Sequence, residues 1–417
     1  MNLQQNNLSE NNFEQCIKCT VCTVYCPVIP VNPKYPGPKQ AGPDGERFRL
    51  KDPDFFDPSL KYCLNCKRCE VACPSGVHIG DIIQAARIKY NHERPKLRDR
   101  LLANTDFVGR LATRVAPLVN LTLSIQPVKL ALDGLFAIDY RRNFPAYSLK
   151  TFEQWYLTEL TEESQEAFPH HVSFFHGCYV NYNFPQLGKD LVKLLNAIGY
   201  GVHLLEKEKC CGVALISNGL IDKARKQGAH NIDIIRRTIK EDDRTVVATS
   251  STCAFTLRDE YPNLLGIANT DVRDRIELAT RFMYRLIEEE KIELVFKEGY
   301  RKQIAYHTPC HMEKLGWGIY STSLLQMIPG IQLRILPSNC CGIAGTYGFK
   351  RENYQTSQEI GKSLFRAIKT ANPDVVATDC ETCKWQIEMS TNYKVMHPIS
   401  ILAEALDVEK TKERNRR

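Results

Sequence analysis

Two stretches of the sequence, CIKCTVCTVYCP at residues 16–27 and CLNCKRCEVACP at residues 63–74, share one cysteine spacing and the same closing proline. Both follow the pattern Cys-x2-Cys-x2-Cys-x3-Cys-Pro. Cysteines at this spacing hold [4Fe–4S] clusters, because a cubane needs four surrounding thiolates and a short turning loop supplies three of them. The two runs therefore predict a domain with two [4Fe–4S] clusters, which is chemistry for moving single electrons.

The fourth cysteine of each run stands apart from the first three, and in two-cluster proteins it ligates the other cluster. We therefore expect the ligand sets to cross between the runs, as Cys16, Cys19, Cys22 and Cys73 for one cluster and Cys63, Cys66, Cys69 and Cys26 for the other. Structural zinc is the alternative, since Cys-x2-Cys pairs also bind zinc. A third and a fourth cysteine followed by proline, repeated twice, do not match a zinc pattern.

The length and composition of the chain limit the classes of protein to which it can belong. The chain has 417 residues, which suggests about two to three domains. Its 17 cysteines are an odd number grouped at metal spacings, which argues against a disulfide framework and for a reducing compartment. The polar segment 1–14 has no basic start and no apolar core, so we expect no signal peptide. The apolar run 115–128 contains two prolines and is shorter than the roughly 20 residues of a transmembrane helix.

The first domain is expected over residues 1–95. The 36 residues between Cys26 and Cys63 are rich in proline and glycine, which predicts a long surface loop with a short helix near 47–51. A helical face follows the second cysteine run at Ile79, Ile82, Ile83 and Ala86. Three cations lie beside these cysteines, namely Lys18, Lys67 and Arg68. We expect their side chains to be mainly solvated, although their positive charge can also raise the reduction potential of a cluster.

Residues 96–165 form a basic and apolar linker. Between Arg87 and Arg114 there are eight Lys or Arg against three Asp or Glu, and an apolar segment broken by prolines follows. One interpretation is an amphipathic segment in a membrane interface. The other is a linker that packs on its own domains or on a partner, since amphipathic helices usually face a protein core. The sequence leaves both open.

From residue 166 the chain repeats itself, which predicts a first copy over 166–290 and a second copy over 300–417. Strand-like runs lie at 171–178, 202–205 and 245–249 in the first copy and at 304–310, 331–336 and 375–378 in the second. The strands alternate with helical patterns such as Leu187, Leu191, Leu194, Leu195 and Ile198, so each copy is expected to be an α/β domain with a parallel sheet. Ligands bind such sheets at the carboxyl ends of the strands.

Cysteines follow these strands in the order Cys, Cys-Cys-Gly, Cys-x2-Cys. The second copy has all five: Cys310, Cys340, Cys341, Cys380 and Cys383. In the first copy 38 residues separate Cys211 from Ser250, and 38 residues likewise separate Cys341 from Cys380. The first copy therefore keeps only four thiols, Cys178, Cys210, Cys211 and Cys253. Buried free cysteine is the plain alternative, but nine cysteines in a twofold pattern favour metal sites.

The Cys-Cys-Gly repeat behind a two-cluster module resembles the cysteine-rich CCG-domain family. That family includes heterodisulfide reductase subunits and the iron–sulfur subunits of glycolate oxidation, of lactate oxidation and of anaerobic glycerol-3-phosphate dehydrogenases. Phrases along nearly the whole chain are most similar to the last group: YPGPKQAGPDGER at 35–47, CCGV at 210–213, HTPCHMEK at 307–314 and TDCETCKWQ at 378–386.

The resemblance implies a helical two-[4Fe–4S] ferredoxin-like domain followed by a duplicated α/β CCG domain. It implies a further, non-cubane cluster at Cys310, Cys340, Cys341, Cys380 and Cys383, while the first copy is left open between a cluster, zinc and an empty site. It also implies a non-catalytic electron-transfer subunit that receives electrons from flavoprotein subunits and passes them to membrane quinone. The resemblance further implies that the protein is bound peripherally at the cytoplasmic face of the inner membrane. It implies a role in glycerol metabolism and anaerobic respiration.

Other functions remain as alternatives at this point. One is a disulfide reductase of the heterodisulfide type, and another is the iron–sulfur subunit of a glycolate or lactate oxidase. No dinucleotide fingerprint or phosphate loop is present, because the glycines at 342, 345 and 348 do not have that spacing. We expect no nucleic-acid partner. His307 and His311 flank Cys310, and we favour roles beside a cluster or in the core over proton donation to quinone.

Overall fold

The computed structural model describes residues 12–90 and 95–416. The expectation about a signal peptide falls almost wholly outside these ranges. The N-terminal domain is built from four helices: α1 (Val21–Val24), α2 (Gly45–Lys51), α3 (Arg68–Val71) and α4 (Ile79–Tyr90). The predicted helical face of α4 is confirmed, since Ile79, Ile82, Ile83 and Ala86 are all buried.

The segment between Cys26 and Cys63 is not the exposed loop that its proline and glycine content predicted. Helix α2 lies within it, as expected, but the side chains of Tyr35, Ala41 and Glu46 are buried. The segment packs on α4, where Gly42 approaches Ile79 so closely that a Cβ would lie 2.9 Å from its side chain. Composition alone did not show that the segment covers the cysteine loops.

Six helices follow in the linker region: α5 (Leu97–Ala103), α6 (Thr105–Arg114), α7 (Ala116–Ser124), α8 (Gln126–Phe136), α9 (Phe152–Trp155) and α10 (Glu162–Glu166). Pro117 and Pro127 lie in the first turns of α7 and α8, where the missing N–H breaks no helical hydrogen bond. The prolines therefore start helices here. Among the described residues, no helix is long and apolar enough to cross a membrane.

The helices α5–α8 turn small residues inward and large apolar residues outward. Apart from Arg98 in α5, the buried residues of these helices are Ala103, Gly109, Ala112, Thr113 and Ala116. A Cβ at Gly109 would lie 2.4 Å from the Tyr182 ring, so α6 packs at a distance that only glycine allows. Leu111 and Leu118, by contrast, are 46% and 62% exposed.

Each copy forms a four-stranded parallel sheet. The first copy comprises β1 (His170–Phe175), α11 (Gly177–Tyr182), α12 (Pro185–Ala197), β2 (Tyr200–Leu204), α13 (Val213–Ser217), α14 (Ile221–Asp242), β3 (Thr245–Ala248), α15 (Ser251–Phe255), β4 (Ile276–Leu278) and α16 (Ala279–Glu289). Its strand order is β2-β1-β3-β4. The α/β class predicted from the alternating pattern is confirmed.

The second copy repeats this topology. It comprises β5 (Lys302–Tyr306), α17 (Cys310–Leu315), α18 (Gly318–Gln326), β6 (Ile331–Ile335), α19 (Tyr354–Ala371), β7 (Val375–Ala377), α20 (Glu381–Ser390), β8 (Val395–Met396), α21 (Pro398–Ala405) and α22 (Val408–Asn415). Its strand order, β6-β5-β7-β8, matches that of the first copy position by position. The duplication seen in the sequence is therefore a duplication of the fold.

Two details of the strand prediction were wrong. The strands β4 and β8 were not predicted, because three and two residues are too short to show a period. The first strands of the copies also end earlier than expected, so Cys178 lies in α11 and Cys310 begins α17.

One hydrophobic core runs through both copies. Val172 and Leu191 of the first copy and Ile304, Leu324 and Ile401 of the second belong to the same buried cluster. Helix α12 packs on α21, and α16 packs on α18. Since the two sheets share a core, the loops at the carboxyl ends of their strands are brought together.

Candidate metal centres

The two N-terminal cysteine runs surround two small cavities of about 20 Å³ each. One is lined by Cys16, Cys19, Cys22 and Cys73, and the other by Cys26, Cys63, Cys66 and Cys69. The structure thus brings together the two crossed sets that the spacing predicted. Their ligation of iron remains a prediction.

The turning loops of the two runs have the same backbone geometry. Lys18 and Thr20 in the first run have φ of 61° and 64°, and Asn65 and Lys67 at the matching positions have 56° and 60°. Left-handed residues other than glycine are uncommon, since the Cβ crowds the carbonyl. Two such residues at the same places in both runs wrap three thiols around one point.

The surroundings of these cavities fit a cluster. The backbone N–H of Asn65 points to Cys63 Sγ at 3.5 Å, and that of Val77 to Cys73 Sγ at 3.4 Å. Such N–H···S contacts help to set cluster potentials. Burial raises the pKa of the Cys26 thiol to about 11 and that of Cys66 to about 12. These thiols are therefore protonated without metal, and iron displaces the protons on binding.

Two of the loop cations are buried, against the expectation of solvated side chains. Lys67 is 1% exposed and forms ion pairs with Asp81 and Glu70. Arg68 is 8% exposed and reaches the second copy, where its guanidinium donates to Glu313 at 3.0 Å. The charge of Lys67 is balanced by these two carboxylates, whereas Arg68 places positive charge near Cys66 and ties the N-terminal domain to the second copy.

The cysteines of the two copies do not form two separate sites. A single cavity of about 260 Å³ between the copies is lined by Cys178, Cys210, Cys211, Cys253, Cys310, Cys340, Cys341, Cys380 and Cys383, together with Cys66 of the N-terminal domain. The nine thiols of the copies lie in loops or first helical turns at the carboxyl ends of strands, as expected for open α/β sheets. The sequence predicted that these nine cysteines lie at the carboxyl edges of the two sheets. The structure in addition brings both sets into one cavity.

Within this cavity the thiols group by copy. Cys178 and Cys210 have sulfurs 3.5 Å apart, and Cys341 and Cys383 have sulfurs 3.3 Å apart. Gly342 follows the paired cysteines with φ of 88°, and a Cβ there would lie 2.1 Å from the Ser357 carbonyl oxygen. A glycine is required at this position. Five converging thiols in the second copy fit a cluster larger than a structural zinc site.

Acidic groups surround the first copy's thiols. The carboxylate of Asp106 accepts from the N–H of Cys210 at 2.9 Å, and that of Glu208 accepts from the N–H groups of His176 and Gly177. Burial raises the pKa of Asp106 to about 7, with the nearby Cys210 adding to the shift. Burial also raises the pKa of Glu208.

Cationic and neutral groups surround the second copy's thiols. Hydrogen bonds from the Cys340 and Cys383 thiols and the nearby His307 lower the pKa of Cys341. Arg142 is fully buried, donates to Ser357 at 2.9 Å, and places a positive charge near the same cysteine. Since thiolate clusters are anionic, the Arg142 guanidinium favours metal at the second copy's thiols. Hydrogen bonds from Cys178 and Cys211 likewise lower the pKa of Cys210 in the first copy.

Ser250 has its own structural role. Its hydroxyl accepts from the N–H of Cys253 at 3.3 Å as the N-cap of α15, and donates to Glu381 of the second copy at 2.7 Å. Ser250 does not line the cysteine cavity. The residue in the place of the fifth cysteine thus caps a helix and links the copies.

The two histidines beside Cys310 occupy the places we favoured. His307 is 1% exposed and lies next to Cys341. His311 stacks on Phe255 with ring centroids 4.6 Å apart, and burial lowers its pKa to about 4. His311 is therefore a neutral packing group at ordinary pH, and His307 is a neighbour of a predicted metal ligand.

Sequence reasoning missed the charged groups around the cavity. Asp106 and Arg142 lie in the linker region, far from any cysteine in sequence, and Glu208 and Glu381 stand beside cysteines without a pattern of their own. No spacing signal marks them, since each contact is made by tertiary packing.

Comparison with known proteins agrees with this architecture. A 4Fe-4S dicluster domain model matches residues 12–77, and a cysteine-rich domain model (CCG) matches residues 172–258 and 304–388. The C-subunit of the anaerobic glycerol-3-phosphate dehydrogenase of Escherichia coli (strain K12) is 58% identical over 96% of this chain and 100% of its own length.

More distant relatives also match over much of the chain or half of it. The glycolate oxidase iron-sulfur subunit of Escherichia coli (strain K12) is 24% identical over 96% of each chain. Lactate utilization protein A of Anoxybacillus flavithermus is 29% identical over 50% of this chain and 87% of its own length.

Proposed function

The chain belongs to the family of anaerobic glycerol-3-phosphate dehydrogenase C-subunits, and we propose that it is the iron–sulfur electron-transfer subunit of such a dehydrogenase. Its electrons come from a flavin-bearing catalytic subunit and go to membrane quinone. A flavin partner is needed because substrate oxidation releases an electron pair, whereas clusters accept one electron at a time. Nothing in the sequence resembles a dinucleotide site of this chain's own.

One observation carries the electron path. Cys66 of the N-terminal domain lines the same cavity as the nine cysteines of the two copies. The contacts around it are tight, because His311 lies 3.3 Å from the carbonyl oxygen of Asn65 and Arg68 is held by Ser338. These contacts place the N-terminal thiols next to those of the second copy, and we propose that electrons pass from the N-terminal clusters to the cysteines of the second copy.

We keep the predicted division of the chain as part of the proposal. Residues 1–95 carry two [4Fe–4S] clusters on the crossed ligand sets, 96–165 form the surface linker, and 166–290 and 300–417 are the two copies. The second copy holds an additional, non-cubane cluster on its five cysteines. The four thiols of the first copy form an auxiliary site.

The test begins with metal content. Protein purified without oxygen should contain acid-labile sulfide and at least about eight irons, four for each cubane. Substituting Cys19 and Cys66 with alanine should remove most of this iron, because each cubane loses one thiolate. Ser75→Ala is the matched control, since Ser75 lines the same cavity as Cys19 without being a predicted ligand. A double variant with all its iron would contradict the ligand sets.

The route of electrons has its own test. The complex co-purified with its catalytic subunits should reduce both a soluble dye and a quinone when given glycerol 3-phosphate. Removal of this chain should abolish quinone reduction and leave dye reduction by the flavoprotein. Quinone reduction by the catalytic subunits alone would overturn the relay.

We propose that helices α5–α8 contact the cytoplasmic face of the inner membrane. Their large apolar side chains point outward, with Phe107 and Leu121 more than 60% exposed. Lys96, Arg100 and Arg114 are exposed beside them. Each basic residue near an anionic surface contributes about 1 kcal/mol to binding. Such a face suits peripheral attachment.

One of the basic residues expected at this surface is buried instead. Arg98 is 5% exposed and pairs with Glu352 at 2.7 Å, so it holds α5 to the second copy. Arg94 lies outside the described residues. The attraction to lipid therefore rests on fewer cations than the sequence suggested.

The membrane proposal is tested by point substitutions. The double variant Leu111→Glu and Leu118→Glu should release the protein from vesicles containing anionic lipid in a flotation assay, and salt should weaken wild-type binding. Ile319→Glu is the matched control, because Ile319 is 63% exposed on α18, outside this surface. Equal binding by the double variant and the control would exclude α6 and α7 as the contact.

A further inference from the structure

The cavity that contains the nine cysteines of the two copies is open to solvent on one side, at helix α5. Leu101 of α5 and Ser217 at the end of α13 line this cavity and are also exposed on the protein surface. Helices α5 and α13 pack on each other. The two side chains therefore mark one opening of the cysteine cavity.

Polar contacts hold the rim of this opening together. Asn218, directly after α13, donates to the Thr346 hydroxyl at 2.8 Å and accepts from the Lys350 ammonium at 2.9 Å. Lys350 also pairs with Asp99 of α5 at 2.7 Å. The segment from 343 to 350 thus joins α5 to α13, and its Thr346 lines the cavity as well.

Three consecutive residues of α5 connect the surface with both sets of thiols. Leu101 is 42% exposed. Leu102 packs against the buried cluster of side chains that includes Cys341, whereas Ala103 belongs to the buried cluster that includes Cys210. A single helix therefore separates the surface proposed to contact the membrane from the thiols of both copies.

The lining of the cavity suits a neutral, apolar molecule. Among the described residues that line it, Glu381 is the only Asp, Glu, Lys or Arg. Anionic groups in ligands are usually bound by Arg or Lys, so an anionic acceptor finds no partner here. Aromatic side chains contribute to the wall instead, including Phe144, Phe349 and Trp385, and the first two have ring centroids 5.5 Å apart. Such walls are typical of small-molecule sites.

One hydroxyl in this lining is available to a bound molecule. The side chain of Tyr147 forms no hydrogen bond within the described part of the chain, lies near Cys178, and is not among the fully buried polar groups. Its backbone is fixed, because the Asn120 side chain of α7 bonds both its N–H and its carbonyl oxygen at 2.8 Å. A phenol at a fixed place can donate a hydrogen bond to a carbonyl oxygen.

We propose that membrane quinone enters the cysteine cavity through the opening between α5 and α13 and is reduced there beside the thiols of the second copy. The inference rests on the proposed function and adds the route of the acceptor. The opening lies on helices that we assign to the membrane surface, and the interior is apolar and almost free of charge. The quinone takes up two electrons, which originate in substrate oxidation and arrive singly, and two protons from water at the opening. The product is the quinol, so electrons and protons balance.

The route is tested by narrowing the opening from both sides in the complex with its catalytic subunits. The double variant Leu101→Trp and Ser217→Trp should raise the KM for an alkyl-substituted naphthoquinone about tenfold or more, because the added rings occupy the opening. Iron content, dye reduction and binding to vesicles should stay at wild-type values, which separates quinone entry from membrane attachment. Leu97→Trp is the matched control, since Leu97 is 61% exposed on α5 but does not line the cavity.

The hydroxyl is tested separately. Tyr147→Phe should raise the KM about 2- to 10-fold, the effect of one lost neutral hydrogen bond. The melting temperature should not fall, because the hydroxyl has no partner within the described part of the chain. Tyr140→Phe is the control, since Tyr140 is 37% exposed and lies outside the cavity lining. An unchanged KM in Tyr147→Phe would overturn this hydrogen bond.

Binding is read independently of turnover. An azido-naphthoquinone should label α5, α6 or the segment 343–349 of the vesicle-bound wild type on illumination, and the double variant should lose this label. Label confined to other segments, or a KM and a label in the double variant equal to those of Leu97→Trp, would overturn the route. A wild-type complex that reduces dye but no quinone would instead overturn the proposed function.

Discussion

The two copies have the same strand order and matching cysteine positions, yet different ionisable groups surround their thiols. Around the first copy's thiols lie buried carboxyl groups, including Asp106 and Glu208. Around the second copy's thiols lie Arg142 and His307. A thiolate-bound cluster carries negative charge, so the Arg142 guanidinium stabilises it, whereas the buried carboxyls of the first copy oppose it only to the extent that they ionise. The duplicated fold supplies matching cysteine positions, and we propose that the neighbouring groups then separate the roles of the two sites.

The missing cysteine fits this difference. Where the second copy has Cys380, the first has Ser250, whose hydroxyl caps α15 and binds Glu381. At this position the first copy therefore has a hydrogen bond to the second copy in place of a thiol. Because all nine thiols line one cavity, the proposed auxiliary site lies next to the proposed redox site.

The largest expected difference is between equivalent cysteine substitutions. Cys341→Ser should abolish quinone reduction and the cluster signal of the second copy, because iron loses a soft anionic ligand. Dye reduction should remain largely intact. Cys211→Ser should lower the melting temperature more than it lowers electron flow. Electron paramagnetic resonance and both activities are measured in each variant. Equal losses in the two variants would show that the copies are functionally alike.

A smaller effect is expected from the buried cation of the second copy. Arg142→Gln should destabilise the protein by about 1.5 to 3 kcal/mol, because the charged hydrogen bonds of the guanidinium to Gln386 and Ser357 are lost. It should also lower the reduction potential of the nearby cluster, since reduction adds negative charge that the guanidinium stabilises. A redox titration followed by paramagnetic resonance measures the second effect. Arg141→Gln is the control, with its side chain 43% exposed; an unchanged potential in Arg142→Gln would contradict the electrostatic account.

The acidic environment of the first copy predicts a pH dependence. The pKa of Asp106 is about 7 in the folded protein, against about 3.9 for an unperturbed carboxyl. Between these values the folded state binds more protons, so stability falls as pH rises towards 7. Asp106→Asn keeps an acceptor for Cys210 but cannot ionise. The variant should therefore gain about 2 kcal/mol relative to wild type between pH 5 and pH 8.

Melting temperatures of both proteins, measured without oxygen across this pH range, test that expectation. Asp106→Ala serves as the control, since it removes both the charge and the hydrogen-bond acceptor. Parallel pH profiles for wild type and Asp106→Asn would mean that the carboxyl is ionised throughout.

The smallest effect is expected at Ser250. Ser250→Ala removes the N-cap acceptor of α15 and should cost about 1 kcal/mol of stability. Iron content should not change, because Ser250 does not line the cysteine cavity. Ser250→Thr retains the cap and should lie close to wild type in denaturant unfolding. Loss of iron in Ser250→Ala would instead make the hydroxyl a metal ligand.

Local patterns in the sequence were sufficient for much of the fold. The helical face of α4 and six of the eight strands were predicted, because periodic burial appears directly in the order of residues. The short strands β4 and β8 were missed, since pairing with a neighbour defines them. The outward direction of Leu111 and Leu118 was also open, because an apolar stripe does not show what covers it.

By itself the sequence determined the cysteine centres and the repeat. Each loop of predicted ligands is a short continuous segment, so the spacing of Cys63, Cys66 and Cys69 is enough to predict its geometry. The common strand order follows from the similarity of the two repeated stretches. Only the tertiary structure decided that both copies share one cysteine cavity, and that buried carboxyls lie beside one set of thiols and a buried guanidinium beside the other. Such contacts join residues that are far apart in sequence, for example Asp106 and Cys210. They depend on the hydrophobic core that the two copies share, which no local sequence pattern encodes.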